Sequence, residues 1–438
     1  MKNLAEKNRM EIPWKTECSE TKIKDASLEE KIALIARIGL ELLSCGTGAY
    51  RVRNSMNRIA RFLEVSISVD IGFMSLNINC FTSSVCMSQS YSLNATGVNT
   101  YKLYRLEQFV KKFPKECENL TIAQIHQKIN EINKIHSLYN PFILGMAAAF
   151  ACAAFTFLLG GGPWEMLLAF LGAGIGNSIR GALIKRHYTL FMNVAISVSA
   201  ACLAYAIFFQ IFKLIFGIGE VHQAGYICAM LFIIPGFPFI TAGIDFAKLD
   251  LRSGLERLTY AVIIVLVATL SAWIMALILG LKPSDFSSID LSLWLTILFR
   301  MAASFCGVFG FSIMFNSSIK MASTAACIGA FANTLRLELV DLCSFPPAAA
   351  AFCGAFTAGI LASLFKRKVG YPRISLTIPS IVIMVPGLYF YKGMYNLGIM
   401  MLQESASWLC AALLITLSLP LGLVAARILT DRSFRHSS

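Results

Sequence analysis

Charge is what this 438-residue chain has least of. Asp, Glu, Lys and Arg make up 14% of it and hydrophobic residues 56%, whereas ordinary globular domains carry about 25% charged residues. That gap excludes a soluble globular protein. Pattern is also missing from the residues that would carry metal or redox chemistry. The 13 cysteines include no CxxC pair, and Cys152, Cys202, Cys228 and Cys353 lie in apolar runs, where a thiol behaves as a small hydrophobe. His126, His136, His187, His222 and His436 have no ligand spacing, so neither a disulfide framework, a metal site nor any other cofactor is expected. The opening "MKNLAEKNRMEIPWKTECSETKIKD" lacks the apolar stretch of a secretory signal peptide. No histidine stands near the serines and threonines of the amino-terminal part, so a hydrolase triad has no visible base. The glycines of "LGAGIGN", Leu171 to Asn177, follow no strand and suit helix packing better than phosphate binding. An enzyme is not expected.

The charge that is present is unevenly placed. Residues 1–139 hold 19 of the 38 Lys and Arg and 14 of the 25 Asp and Glu, so a polar head precedes a membrane body. A spanning helix needs roughly 20 apolar residues, and ten runs fit: 140–160, 166–184, 188–212, 224–244, 258–281, 291–314, 321–337, 347–365, 374–391 and 405–426. Loops and tail on the side of the head carry thirteen basic residues, among them Lys185, Arg186, Lys248, Arg252 and Arg257, against Lys213, Lys282 and Lys392 on the other side. This positive-inside bias puts both termini in the cytoplasm. It also accounts for the net charge of +13 without a nucleic-acid partner.

The expected fold is mostly α and polytopic: a disordered polar segment over 1–27, a small cytoplasmic α+β domain over 28–139, two five-helix halves over 140–284 and 285–430, and a cytoplasmic tail over 431–438. Within the head, Leu28, Ile32, Ile35, Gly39, Leu42 and Leu43, then Met56, Ile59, Phe62 and Leu63, recur at helical spacing and predict a hairpin turning at Gly46 and Gly48. Alternation in "SISVDIGFMSLNINCF", Ser66 to Phe81, and "TYKLYRL", Thr100 to Leu106, predicts strands. Thr121 and Gln124 form a capping box for a helix reaching about Ile135. Arg51, Arg53, Arg58 and Arg61 read as a solvated or lipid-facing row, or else as a regulatory or substrate-gathering surface.

The run "FIIPGFPFITAGID", Phe232 to Asp245, sets two prolines and a glycine inside an apolar span and ends on a carboxylate. It returns as "VIMVPGLYFYKGMYN", Val382 to Asn396. At an offset of 151 residues Pro235 falls on Pro386, Gly236 on Gly387 and Asp245 on Asn396. "NSIR", Asn177 to Arg180, returns as "NTLR", Asn333 to Arg336, in the second span of each half. Five spans is an odd number, so the second copy enters from the opposite side: a 5+5 inverted repeat, as in many secondary transporters, with a binding site near the midplane at the paired breaks. Proline removes a backbone donor, so both spans are expected to break and to free N–H groups that suit a carboxylate. Spans two and seven are expected to be short, because 14 residues lie between Glu165 and Arg180 and 15 between Lys320 and Arg336.

These positions supply the candidate transport residues. Asp245 is the expected proton carrier, since partial desolvation would raise its pKa and Asn396 keeps the polarity without the charge. Its alternative is a solvated acid paired with Lys248 or Arg252. Arg180 and Arg336 match a carboxylate bidentately, or snorkel, or, for Arg336, pair with Glu338 and Asp341. Asn177 and Asn333 bind substrate or bridge helices. Arg300 reads as structural or gating.

Three stretches carry a family resemblance: "ELLSCGTGAYRVRNSMNRIARFL" from Glu41, "IIPGFPFITAGIDFAKLDLRSGLERL" from Ile233 and "FPPAAAAFCGAFTAGILASLFKRKVGYPRISLTIPSIVIMVPGLYFYKGM" from Phe345. From about Leu28 to Leu429 the chain resembles the threonine/serine exporter family. Pro235, Gly236, Thr241, Asp245, Asp250, Gly254 and Arg257 fall on that family's pattern, and Pro238 departs from it. The resemblance implies a bacterial inner-membrane exporter of small amino acids such as threonine and serine, driven by protons, and adds Thr241 to the transport residues. Two-chain members are associated with succinate-type dicarboxylates, so a dicarboxylate exporter using Arg336 or Arg180 is the alternative. A channel or sensor is a more distant one. The expected partners are the small amino acid or dicarboxylate, protons and the lipid bilayer.

Overall fold

The computed structural model describes residues 14–82, 85–135, 137–286 and 291–435; His136 and His436 lie outside them. The chain divides into two compact units, residues 1–138 with 241–258, and residues 139–240 with 259–438.

In the first unit, helices α1 (Leu28–Ser44) and α2 (Ala49–Phe62) form the expected hairpin. Ser27 opens α1 with a capping box, its hydroxyl accepting from the Glu30 N–H while the Glu30 carboxylate accepts from the Ser27 N–H. Gly46 turns the chain at φ 83°, a conformation that costs glycine little, and a Cβ there would meet the Gly97 carbonyl oxygen at 2.8 Å. Strands β1 (Ser66–Ile71) and β2 (Ser75–Phe81) pair antiparallel, and β2 buries Leu76, Ile78 and Cys80.

Two elements differ from expectation. The stretch Thr100 to Leu106 is not a strand but the start of helix α3 (Thr100–Glu116). Asn99 caps it, accepting from the Lys102 N–H at 2.9 Å, and Leu103, Leu106, Phe109, Val110 and Phe113 are buried at helical spacing. The longer 3.6-residue pattern overrides seven residues of alternation. A third strand, β3 (Cys86–Ser92), joins β2 with Ser75 opposite Ser92; its sequence, CMSQSYS, offers no apolar face to read. Helix α4 (Ile122–Asn133) starts at the expected Thr121–Gln124 box.

Part of the segment expected to be disordered is built into this unit. Residues Lys15–Cys18 and Ile23–Asp25 form 3₁₀ turns, Trp14 stacks on Tyr91 at 5.4 Å, and Lys22 bridges Thr121. Residues 1–13 lie outside the described residues. Beneath Trp14, buried His126 takes a hydrogen bond from the Arg37 guanidinium through Nδ1 at 2.5 Å. Burial, and then the adjacent guanidinium, push the imidazole down to about 4.

Among the described residues seven helices are long and apolar enough to cross a membrane: α5 (Pro141–Leu158), α6 (Pro163–Lys185), α7 (Leu190–Phe216), α9 (Leu251–Leu279), α10 (Leu293–Met314), most of α12 (Pro347–Val369) and α15 (Leu402–Thr430). Two further spans are bent pairs. The half-helix Glu220–Ile233 meets α8 (Gly236–Ala247) at 54°, and α13 (Arg373–Ile381), prolonged by a 3₁₀ turn to Met384, meets α14 (Gly387–Gly398) at 42°. The remaining expected span, 321–337, coincides with α11 (Ile319–Asp341). With Lys320, Arg336, Glu338 and Asp341 on it, α11 falls short on apolarity rather than length, so nine spans stand by composition among the described residues.

Spans two and seven are not short. Helices α6 and α11 each run for 23 residues, about 34 Å at ~1.5 Å per residue. Their charges do not end the helices because they are accommodated within them: Glu165 is buried, with Nδ1 of His222 2.7 Å from its carboxylate. In the second unit α5 and α10 lie antiparallel. Phe157 meets Phe299 edge-on, and a Cβ on Gly310 would strike the Ala147 carbonyl at 2.5 Å.

Candidate transport site

The two breaks share one backbone construction. Each has a 3₁₀ turn, Leu231–Ile233 or Val382–Met384, and then an extended residue, Ile234 (φ −59°, ψ 123°) or Val385 (φ −66°, ψ 131°). Extension is what a following proline imposes. The Gly236 N–H then donates to the Ile234 carbonyl at 2.9 Å, and the Gly387 N–H to the Val385 carbonyl at 2.8 Å. Pro386, at φ −81° and ψ 57°, sits at the centre of an inverse γ-turn.

The breaks also pack on one another reciprocally. A Cβ on Gly236 would meet Val382 at 2.5 Å and Val385 at 3.1 Å; a Cβ on Gly387 would meet Leu231 at 2.7 Å and Ile234 at 3.1 Å. Leu231 and Val382, Ile234 and Val385, and Gly236 and Gly387 are each 151 positions apart, the offset that aligns the two motifs. Phe239 and Phe390, also 151 apart, stack at 5.8 Å and 8°. Glycine is required at both breaks because the other break occupies the place of its side chain.

The repeated Asn-x-x-Arg motifs behave differently. Asn177 donates to the Leu144 carbonyl at 2.9 Å, and half-buried Arg180 lies in the field of the Tyr260 hydroxyl. Asn333 donates to the Ser304 hydroxyl at 2.9 Å, while its carbonyl oxygen faces Nη1 of Arg336 at 3.4 Å. Glu338 and Asp341 do not pair with Arg336, because both hold Arg300. The Nε of Arg336 is buried without a hydrogen-bond partner. Arg336 and Asn333 line a small pocket with Pro386, Gly387 and Tyr389 of the second break and Phe155 of α5. First-turn N–H groups of a helix lack intrahelical acceptors, so a guanidinium, an amide and a helix start border one space. That combination suits a carboxylate.

Asp245 lies in the first unit and is neither solvated nor alone. It is 0% exposed and pairs with Arg257, 1% exposed, at 3.1 Å. Ser253 donates to its Oδ2 at 2.9 Å and the Ala49 N–H to its Oδ1 at 3.0 Å. Arg257 also donates to the Thr47 carbonyl at 2.6 Å and the Gly46 carbonyl at 3.2 Å. The partner is thus Arg257, not Lys248 or Arg252: Lys248 lies over the Tyr50 ring, and Arg252 reaches Asp70 and Glu256. Gly48 is required beside this pair, since a Cβ would meet Asp245 Oδ1 at 2.5 Å. Arg53, expected on a solvated or lipid-facing row, pairs with Asp250. Thr241 is buried one turn before Asp245, and Asn396, its counterpart position in the second unit, is half-buried in α14. Counting Arg257 among loop cations missed its pairing, for which the one signal was that Asp245 and Arg257 both fall on the family pattern.

Among the described residues no group of three His, Cys, Asp or Glu is placed to hold a metal ion. Residues 33–280 match the family model described as "Putative threonine/serine exporter", and residues 300–429 match "Threonine/Serine exporter, ThrE". The chain belongs to the threonine/serine exporter family. It is similar to the "Probable succinate transporter subunit YjjP" of Escherichia coli (strain K12), 23% identical over 247 residues, which cover 55% of this chain and 93% of that one. It is also similar to "Pheromone-regulated membrane protein 10" of Debaryomyces hansenii, 22% identical over 394 residues, 82% of this chain and 36% of the other. No solved structure matches. Membership in this family, with the apolar helices, supports a multi-pass membrane transporter.

Proposed function

We propose that this threonine/serine exporter family member is a secondary exporter of small amino acids, working by alternating access between two five-span inverted repeats. The tenth span is then α11, polar because it carries the site. The positive-inside bias orients both termini to the cytoplasm, and the proton gradient across a bacterial inner membrane drives export. Pro235 with Gly236 and Pro386 with Gly387 form the crossing about which the repeats exchange access. Asn333 and Arg336 hold the substrate carboxylate, and Asn177 and Arg180 occupy the equivalent positions in the other repeat. Asp245, with Thr241 before it, anchors the end of the first broken span, and Asn396 ends the second without charge.

The observation that carries this reading is the pocket joining Arg336, whose Nε has no partner, to the start of α14 at the second break. Arg336 is the charged residue of that lining, which favours one carboxylate over two. Dicarboxylate export is the second reading, favoured by the relative named as a succinate transporter subunit.

The test is efflux from proteoliposomes loaded separately with threonine, serine and succinate, for wild type and Arg336→Gln. Removing a charged hydrogen-bond donor worth about 1.5–3 kcal/mol is expected to weaken amino-acid efflux about tenfold to a hundredfold. Efflux of succinate alone moves the assignment to the dicarboxylate. Wild-type efflux of none of the three, from folded protein, refutes the transport reading.

A further inference from the structure

A buried carboxylate in the second unit has no part in the carboxylate pocket or in the Asp245 anchor. Glu165, near the start of α6, is 1% exposed. Its Oε1 lies 2.7 Å from Nδ1 of His222 on the half-helix Glu220–Ile233, and its Oε2 is buried with no hydrogen-bond partner. The His222 side chain is 26% exposed. The pair therefore has one sealed end and one open end. Around it the packing leaves no slack: a Cβ on Gly162 would sit 3.0 Å from Oε2, and one on Gly225 would overlap the Tyr205 hydroxyl and lie 3.1 Å from the Glu165 Cβ. Tyr205, from α7, donates to the backbone carbonyl of His222 at 2.5 Å and fixes the half-helix against α6 and α7.

We infer that Glu165 and His222 form the site that takes up the coupling proton, on the half-helix that leads into the first break. The inference rests on the transport reading for its role and on the geometry alone for its place. Imidazole can donate from one ring nitrogen while the other accepts a proton, and that of His222 stands where water reaches it. With the proton absent, a neutral His222 donates Nδ1–H to a Glu165 carboxylate that leaves one oxygen uncompensated among apolar helices, a costly arrangement. A proton added at Nε2 makes the imidazolium–carboxylate pair; shifting the Nδ1 proton to Oε1 gives the neutral acid and neutral imidazole. Either way the charge on the pair goes from −1 to zero.

Loading therefore favours the half-helix held against α6, and unloading favours its release, which moves the segment ending at Pro235. The titratable groups facing the pair are Tyr205 from α7 and Cys228 from the half-helix, with Cys152 of α5 beside Cys228; Glu220, two residues before His222, is paired with Lys213. Tyr226 on the half-helix turns away to the Tyr391 hydroxyl. Glu165 is the carboxylate among them with an unpartnered buried oxygen.

The experiment uses the full chain in proteoliposomes with whichever of threonine, serine or succinate the wild type moves. Accumulation under an imposed pH gradient is divided by exchange with no gradient. In Glu165→Gln that ratio is expected to fall to the value seen without a gradient, and His222→Gln is expected to shift its pH dependence. A ratio that stays at the wild-type value in folded Glu165→Gln overturns the inference, and so does loss of gradient-free exchange together with accumulation, which marks a structural residue. A second measurement needs no substrate. Stepping detergent-solubilised protein from pH 8 to pH 5, the wild type is expected to take up about one proton more than the Glu165→Gln/His222→Gln double variant. Equal uptake overturns the site even where the transport reading stands, and the extra proton upholds it even where all three substrates fail.

Discussion

Arg257 is fully buried and Arg336 is half-buried with its Nε enclosed, and their surroundings differ at nearly every nitrogen. Arg257, in the first unit, has Asp245 and the Ser253 hydroxyl at Nε and the carbonyls of Gly46 and Thr47 at its two other nitrogens. Arg336, in the second unit, has a long 3.4 Å contact with Asn333, a buried Nε with no acceptor, and a pocket beside it. A guanidinium engaged at all three nitrogens holds chain segments together. One with donors left over, next to open space, is placed to engage something that comes and goes. On the proposed reading, the arginine with the stronger ion pair is the structural one, and the weakly tethered one is assigned to the transported solute.

The largest effect that would break this comparison is expected at Asp245. Asp245→Ala leaves the Arg257 charge buried without its carboxylate, and removal of one member of a buried pair costs about 3–5 kcal/mol. Thermal unfolding of the detergent-solubilised protein is expected to show that loss. A variant as stable as wild type would mean that Arg257 relaxes to solvent and that the anchor is not structural.

A third arginine sharpens the distinction through pH. Arg37 donates to His126, whose imidazole is held down to about 4 by burial and by that guanidinium. The unfolded imidazole titrates near the ordinary ~6.5. Between these values the unfolded chain binds the proton and the folded one does not, so stability is complete above about 6.5, declines as pH falls, and levels off below about 4. The integrated loss is about 3 kcal/mol. Amide protection factors in Leu28–Ser44 and Ile122–Asn133 of the full chain, each rate divided by the intrinsic rate at the same pH, are expected to fall accordingly from pH 7 to pH 4. His126→Gln is expected to flatten that dependence.

Nine of the ten expected spans and both breaks were legible in the sequence because their causes are local. A run of apolar residues and a proline act on their own neighbourhood, and the repeated PG motif carried enough side-chain pattern to locate the crossing of Gly236 with Val382 and Gly387 with Leu231. What escaped depends on distant partners. Asp245 meets the loop at Gly48 and Ala49 almost 200 positions away, and Glu165, taken for the edge of a span, is buried because His222 comes to it. Charge marks a helix end only when no partner is folded against it. Strand β3 failed for another reason: both its faces are polar, so register with β2 alone defines it. In α3 a longer periodicity overruled a shorter one.

The smallest stability effect is expected at Arg336, and it is the most discriminating. Arg336→Met keeps much of the side-chain volume and removes a charge that no acid of the described residues balances. Because desolvating a poorly paired charge opposes folding, the variant is expected to lie within about 1 kcal/mol of wild type or above it, in contrast to the several kcal/mol lost at Asp245. Transport is expected to go the other way, with Arg336→Met at least as impaired as Arg336→Gln. Measured together, melting and efflux separate the two arginines along independent axes. If Arg336→Met unfolded as readily as Asp245→Ala, the second guanidinium would be another structural clamp, and the carboxylate would have to be held elsewhere along the crossed breaks.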